Sequence, residues 1–227
     1  MHIPDGLMDP TVLVIGWLIA LPVVAYAVYK VSKTIDEKTV PFMAVLAAGI
    51  FIAQMLNFPV GGGTTGHLIG ATLACILLGV YGSVVVMTVI LVIQCLVFGD
   101  GGLTALGLNL LNMAVIAPFA TAAVLWALKG RRQYTATFSA SWVAVFLTAT
   151  ACALQLAFSY DLSGGDYGIE GIIAIPSMMA WHAVIGIGEG IITTGIVAFL
   201  SKVSPESLKM QIGRKHEVDT SGKEVAT

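Results

Sequence analysis

The chain has 227 residues, of which 57% are hydrophobic and only 11% are charged. Ordinary water-soluble domains carry roughly 25% charged residues, so this composition excludes a soluble globular domain and indicates an integral protein of the lipid bilayer. The net charge of −2, with basic residues scattered near segment ends, excludes the basic face that nucleic-acid binding requires. The three cysteines lie in apolar stretches without CxxC spacing, which predicts neither a disulfide framework nor a thiolate metal site.

Seven charge-poor stretches, bounded by charges, proline or glycine, are candidates for membrane helices. They cover residues 11–31, 41–56, 67–79, 81–98, 108–128, 138–158 and 179–200. The third is short, as is typical of a re-entrant or buried segment, and only glycines near Gly79 separate it from the fourth. We therefore expect an all-α bundle of about seven transmembrane helices over residues 1–200, followed by a flexible cytoplasmic tail over 201–227.

The basic residues predict how this bundle is oriented. All 11 lysines and arginines follow the first, fifth or seventh stretch, and such residues collect on the cytoplasmic side of a membrane. The N-terminus is therefore expected outside and the C-terminus in the cytoplasm. This holds only if residues 67–98 cross twice or re-enter and return, which favours a helix break near Gly79. The first basic residue is Lys30, so we do not expect a cleaved signal peptide.

Three of the four histidines then lie at or near the outer face, namely His2, His67 and His182. The outer loops also hold acidic residues, Asp5 among them, and no basic residue. This imbalance favours a cationic substrate approaching from outside. The alternative is that outer loops are simply depleted of lysine and arginine, as in membrane proteins generally.

The first six residues, MHIPDG, offer a compact set of nitrogen donors. The Met1 amine, the His2 amide nitrogen and the His2 imidazole are spaced to close two fused chelate rings in one plane. A further imidazole nitrogen would complete the tetragonal arrangement that suits Ni(II) or Cu(II). His67 follows the glycine-rich loop NFPVGGGTTG at 57–66 and is the candidate for the fourth donor. The alternative is that His67 caps a helix or lies in an interface. The loop lacks the lysine of a P-loop, so an ATP site is not expected.

A third cluster, WHAVIGIGEG at 181–190, lies on the last stretch. His182 and Glu189 are seven residues apart, which places them on nearly one face of a helix with Glu189 about 10 Å deeper. Glu189 either accepts hydrogen bonds that fix helix packing or takes part in cation relay or proton coupling. The candidates for supporting the metal ligands or for transport are Asp5, Asn57, Thr65, His182 and Glu189. Ala44 and Ala48 have the small-xxx-small spacing of a surface on which another helix packs.

Three motifs, MHIPDG at the start, NFPVGGGTTGHLIG at 57–70 and WHAVIGIGEGIIT at 181–193, together resemble the CbiM/NikM family. These are the substrate-binding membrane subunits of cobalt and nickel energy-coupling factor transporters. The resemblance implies a seven-helix subunit of the cell membrane whose metal ligands are Met1, His2 and His67. It also implies partners: a transmembrane coupling subunit that docks on Ala44 and Ala48, two cytoplasmic ATPase subunits and usually a small accessory membrane protein.

The sequence therefore predicts a transporter subunit, not an enzyme, that binds Ni(II), or Co(II), at the outer face. Planar nitrogen ligation favours nickel over cobalt. Two other functions stay open. An ion-coupled secondary carrier would act alone, although no inverted repeat is visible. A membrane metalloenzyme would use His182 and Glu189, although the chain has no HExxH motif.

Overall fold

The structure is a computed structural model that describes residues 1–36 and 39–209. Its helices are α1 Pro10–Ser32, α2 Thr39–Gln54, α3 Ala71–Ile93, α4 Leu106–Asn109, α5 Ala117–Ala127, α6 Gln133–Ser163 and α7 Gly171–Val203. Wider π-helical turns at Gln94–Phe98 and Leu110–Ile116 extend α3 and join α4 to α5. A short hairpin, β1 Phe58–Pro59 paired antiparallel with β2 Thr65–Gly66, lies between α2 and α3.

Five of the helical segments in the described residues are long and apolar enough to cross a membrane: Pro10–Ser32, Ala71–Phe98, Leu106–Ala127, Gln133–Ser163 and Gly171–Val203. The segment Thr39–Gln54 is apolar but shorter. The prediction of a mostly helical, multi-pass membrane protein is therefore confirmed, and the two short strands are the exception to the predicted all-α class. The number of crossings and the sides on which the termini lie stay predictions, because length and composition do not determine them.

The predicted helix break near Gly79 is confirmed. Gly79 has φ 77° and ψ 173°, a conformation that essentially only glycine adopts. The Ser83 hydroxyl donates a hydrogen bond to the Ala71 carbonyl at 2.9 Å, whereas twelve residues of straight helix would separate these groups by about 18 Å. The chain therefore folds back at Gly79, and Ala71–Phe98 forms a helical hairpin of unequal limbs.

The first nine residues, called here the N-terminal segment, are buried at positions 1–3 and at Met8 and exposed at positions 4–6. Met1 and Ile3 are fully buried. The Gly168 amide donates to the Leu7 carbonyl at 2.7 Å, which ties the segment to the loop before α7. The Asp9 amide donates to the Ser159 hydroxyl near the end of α6 at 2.7 Å. The Asp9 carboxylate also caps α1 by accepting from the Thr11 amide, which satisfies a helix N–H that lacks a partner within the helix.

Apolar side chains on the outside of the helices suit a lipid environment. Leu18 of α1, Val45 of α2 and Val184 of α7 are each more than half exposed. In water such a surface would be an association hazard, but in a bilayer it contacts acyl chains. Ala44 and Ala48 also lie on the exposed face of α2, so this face is free to contact another helix.

The predicted tail at 201–227 falls mostly outside the described residues. Helix α7 continues past the expected end at residue 200 as far as Val203, and a short 3₁₀ turn follows over Pro205–Lys209. Lys38 and residues 210–227, which carry part of the charge pattern used to orient the chain, are outside the described residues.

Candidate metal centre

Thr65 brings the first two residues of the chain together. The Met1 amino group donates hydrogen bonds to the Thr65 carbonyl and, at 2.8 Å, to the Thr65 hydroxyl. The His2 amide donates to the same hydroxyl at 3.0 Å. Thr65 lies in strand β2, whose position is fixed by pairing with β1. A neutral amine has two N–H groups, so these two bonds use both and leave its lone pair free.

His67 presents one ring nitrogen as a free acceptor beside His2. Its Nδ1 lies 2.7 Å from the Leu68 carbonyl oxygen, and because a carbonyl only accepts, Nδ1 must carry the proton. Its Nε2 therefore holds a lone pair, and this atom is buried without a hydrogen-bond partner. The rings of His2 and His67 stack with centroids 4.7 Å apart. In proteins, a hydrogen bond from one ring nitrogen of a histidine to a carbonyl oxygen commonly orients the other ring nitrogen toward a metal.

Burial keeps these nitrogens neutral. Met1 is fully buried, and His2 and His67 are 2% and 1% exposed. Burial lowers the pKa of the Met1 amine to about 5, against weaker opposing effects of Cys152 and Asp100. Burial, and then the charge of the nearby amine, lowers the pKa of His2 to about 3. The pKa of His67 is lowered well below its ordinary value for the same two reasons. At neutral pH all three groups therefore offer lone pairs.

The structure brings together the predicted ligands Met1, His2 and His67. Across residues 1–36 and 39–209, no three histidine, cysteine, aspartate or glutamate side chains form a group that could hold a metal ion. A metal at this position would therefore rely on main-chain nitrogen in addition to the two imidazoles. The amine and the amide of the first two residues are the nitrogens placed to supply it.

Asp100 approaches His2, although the sequence predicted it only as one of the acidic residues of the outer loops. One of its carboxylate oxygens lies 3.5 Å from His2 Nε2. The Asn57 side-chain amide donates to the same carboxylate at 3.2 and 3.3 Å, so Asn57 supports Asp100 and does not contact a histidine through these bonds. The signal was present in the sequence as the run GDGG at 99–102, an acidic residue between glycines after an apolar stretch.

Asp5 and Asn109 anchor the N-terminal segment. The Asp5 carboxylate accepts from the amides of Leu103 and Thr104 at 2.9 and 2.8 Å. A hydrogen bond from the Thr104 hydroxyl is the main reason that the pKa of Asp5 is lowered. Asn109 pairs with the main chain of Ile3 in both directions, accepting at 2.9 Å and donating at 3.1 Å. These two side chains hold the segment without belonging to the nitrogen set.

The third histidine, His182, is fully buried in α7. Its Nδ1 lies 2.7 Å from the Met178 carbonyl oxygen, which leaves Nε2 as an acceptor without a hydrogen-bond partner. His182 does not hydrogen bond to Glu189, its predicted neighbour on the helix face. Its role in ligand support or transport stays a prediction.

Glu189 contacts the main chain of the His67 loop. Its two carboxylate oxygens accept from the amides of Ile69 and Gly70, each at 2.7 Å. Of the two interpretations of Glu189, the hydrogen-bond acceptor describes this contact, although the donors come from a loop and not from neighbouring helices. The Gln54 side chain adds a bond to the Ile69 carbonyl at 2.6 Å.

Comparisons with known proteins identify the family of this chain. The family described as "Cobalt uptake substrate-specific transmembrane region", CbiM, matches residues 2–207. A predicted fused nickel transport protein NikMN of Archaeoglobus fulgidus is 37% identical over 211 residues, which cover 93% of this chain and 69% of the relative. The fused nickel transport protein NikMN of Rhodobacter capsulatus is 35% identical over 223 residues, covering 92% of this chain and 64% of the relative.

The likeness extends to three dimensions. A crystal structure described as a truncated transition metal transporter has a TM-score of 0.86 and 37% sequence identity to this chain. The match covers 89% of this chain and 99% of that one. Together with the family match over nearly the whole membrane region, this shows that the chain belongs to the CbiM family of cobalt and nickel transport proteins.

Proposed function

We propose that this chain is the substrate-binding subunit of an energy-coupling factor transporter, and that its substrate is Ni(II), or Co(II), held by Met1, His2 and His67. The observation that carries the proposal is the meeting of the Met1 amine, the His2 amide and the unpartnered His67 Nε2 in one buried place. Neutral nitrogen donors are the form in which amines and imidazoles bind transition metals.

The chemistry of this donor set supports a divalent metal that accepts planar coordination. The amine and the amide of consecutive residues close a five-membered chelate ring with a metal, and the imidazole of the second residue adds a six-membered ring. Binding removes the amide proton, because only the deprotonated amide nitrogen is a donor. Four nitrogens in a plane suit Ni(II) and Cu(II). Copper would bind at least as tightly as nickel by the usual divalent order, so selectivity in the cell depends on metal availability or delivery.

Transport requires partners in this proposal. The chain would work in the cell membrane with a transmembrane coupling subunit, two cytoplasmic ATPase subunits and a small accessory membrane protein. The coupling subunit would dock on the α2 face that carries Ala44 and Ala48, which is exposed and has small side chains. ATP hydrolysis in the partners would drive release of the metal to the cytoplasm.

The experiment that tests the ligand set compares two forms of the purified protein. One begins at Met1, and the other carries one extra residue before Met1. The extension converts the terminal amine into an ordinary amide and removes it as a donor. A third form with the same residue added at the C-terminus is the matched control. We expect tight Ni(II) binding in the first and third forms and loss of at least a hundredfold in affinity in the second.

Equal affinity in all three forms would remove Met1 from the site. Transport is tested separately, by nickel uptake into proteoliposomes with and without the partner subunits. We expect uptake only with the partners and ATP. Uptake by this chain alone, driven by an ion gradient, would instead favour a secondary carrier.

A further inference from the structure

A buried polar cluster contacts the main chain that follows His67 and supplies none of the nitrogen donors. It consists of Gln54 on α2, Gln94 at the end of α3 and Glu189 on α7. Gln54 and Gln94 are fully buried and Glu189 is 3% exposed. The Gln94 amide donates to the Gln54 side-chain oxygen at 2.8 Å, so the two amides act together. A buried carboxylate of this kind is costly unless it has a specific partner.

The partner of this cluster is the main chain that follows His67. The Glu189 carboxylate accepts from the amides of Ile69 and Gly70, and the Gln54 amide donates to the Ile69 carbonyl. Ile69 is therefore held at its amide and at its carbonyl by two different helices. Within the described residues, these two main-chain amides are the only hydrogen-bond partners of the Glu189 carboxylate.

One peptide unit connects Glu189 directly to His67. The Leu68 carbonyl, which accepts the proton of His67 Nδ1, belongs to the same planar peptide as the Ile69 amide, which donates to Glu189. Fixing the amide therefore fixes the carbonyl, and the carbonyl fixes the orientation of the imidazole. A carboxylate on the N–H side also makes the carbonyl a stronger acceptor, because hydrogen bonds in a chain polarise one another.

We propose that Glu189 is a positioning residue for His67, acting through the Leu68–Ile69 peptide to aim His67 Nε2 at the metal. This proposal rests on the proposed function. Both carboxylate oxygens accept hydrogen bonds from main-chain amides, so in this proposal Glu189 acts from outside the metal's own ligands. The arrangement is the main-chain equivalent of a carboxylate that orients a metal-binding histidine directly.

A double-mutant cycle tests this proposal. Ni(II) affinity is measured by calorimetry for the unmodified protein, Glu189→Gln, His67→Ala and the double variant. Glu189→Gln keeps the shape of the side chain but turns an NH₂ group toward one of the two amides. We expect it to weaken Ni(II) binding about 10- to 100-fold, the usual cost of losing a group that orients a ligand. In the His67→Ala background we expect less than a threefold further loss, because the residue through which Glu189 acts is gone.

The matched control is Glu170→Gln, because Glu170 is exposed and lies immediately before α7. This variant should bind Ni(II) as the unmodified protein does. If Glu189→Gln binds Ni(II) normally, or loses the same factor with and without His67, the proposal is wrong. If the unmodified protein itself does not bind, the proposed function fails and not this inference alone. If Glu189→Gln does not fold, Gln54→Met replaces it in the same cycle, with the same expected dependence on His67.

Discussion

Nickel binding should release about one proton near neutral pH. The Met1 amine has a pKa of about 5 instead of its ordinary 8.0, and the pKa of His2 is lowered to about 3. All three protonatable ligands are therefore already neutral at pH 7. The one proton that the metal must displace is that of the His2 amide. Affinity should then rise about tenfold for each unit of pH between about 6 and 8.

The size of the burial effect follows from the amine alone. At pH 7 an exposed amine of pKa 8.0 would be protonated in about ten of eleven molecules, which would weaken binding by about tenfold. A pKa of about 5 removes this competition. Below about pH 5 the amine begins to take up a proton, so affinity should fall by about a hundredfold for each unit of pH lost.

The assay is titration calorimetry of Ni(II) at several pH values, each in two buffers with different heats of ionisation. The difference in heat between buffers gives the number of protons released for each metal bound. We expect release of about one proton at pH 7. Release of two protons at pH 7, with a tenfold change in affinity for each half unit of pH, would show instead that the amine is protonated in the metal-free protein.

Three substitutions test the framework around the site. Asn109→Ala removes both hydrogen bonds to the Ile3 main chain, so we expect the free energy of unfolding to fall by about 2 kcal/mol and Ni(II) affinity to fall with it. Gly102→Ala would place a Cβ 2.3 Å from the Asp5 main-chain nitrogen, so it should displace the N-terminal segment and weaken Ni(II) binding in a calorimetric titration. Gly79→Ala forces alanine into a backbone conformation that essentially only glycine adopts. The free energy of unfolding should therefore fall by about 1–3 kcal/mol, which thermal unfolding measures.

Matched controls separate these effects from general destabilisation. Asn112 pairs with Gln155 and not with the N-terminal segment. Asn112→Ala should therefore lower thermal stability while Ni(II) affinity stays within about threefold of the unmodified protein. The added Cβ of Gly195→Ala meets no atom within 4 Å, so this variant should bind Ni(II) normally and should be no less stable, because alanine is favoured over glycine inside a helix. Equal loss of nickel binding in Asn109→Ala and Asn112→Ala would contradict the anchoring role of Asn109.

Local patterns in the sequence predict the helices of this protein and the nitrogen donors proposed for it. The apolar stretches and the glycine at the break depend on neighbours along the chain, and so does the chelate proposed for Met1 and His2. The contacts that support the donors do not. Asn109 meets Ile3 across 106 positions, and Glu189 meets Ile69 across 120. No spacing rule connects residues so far apart, because their meeting depends on how the helices pack.

Glu189 shows most clearly which contacts the sequence does not predict. Its position in an apolar helix indicates a function or a buried hydrogen bond, and the periodicity of the helix relates it to His182. Its partners, however, are main-chain amides in another segment. Main-chain groups carry no sequence signal, so the contact could be found only from the structure.

The placement of the N-terminal segment bears on the order in which the protein is completed. Its partners include Thr65, Asn109, Ser159 and Gly168, so they are distributed over most of the chain. Contacts between positions so distant form late, after the intervening helices have closed the loops between them. The N-terminal segment is thus among the last parts of the chain to reach its final position. The proposed metal site would therefore form only once nearly all of the helices have been inserted and packed. A partly assembled chain would not bind the metal.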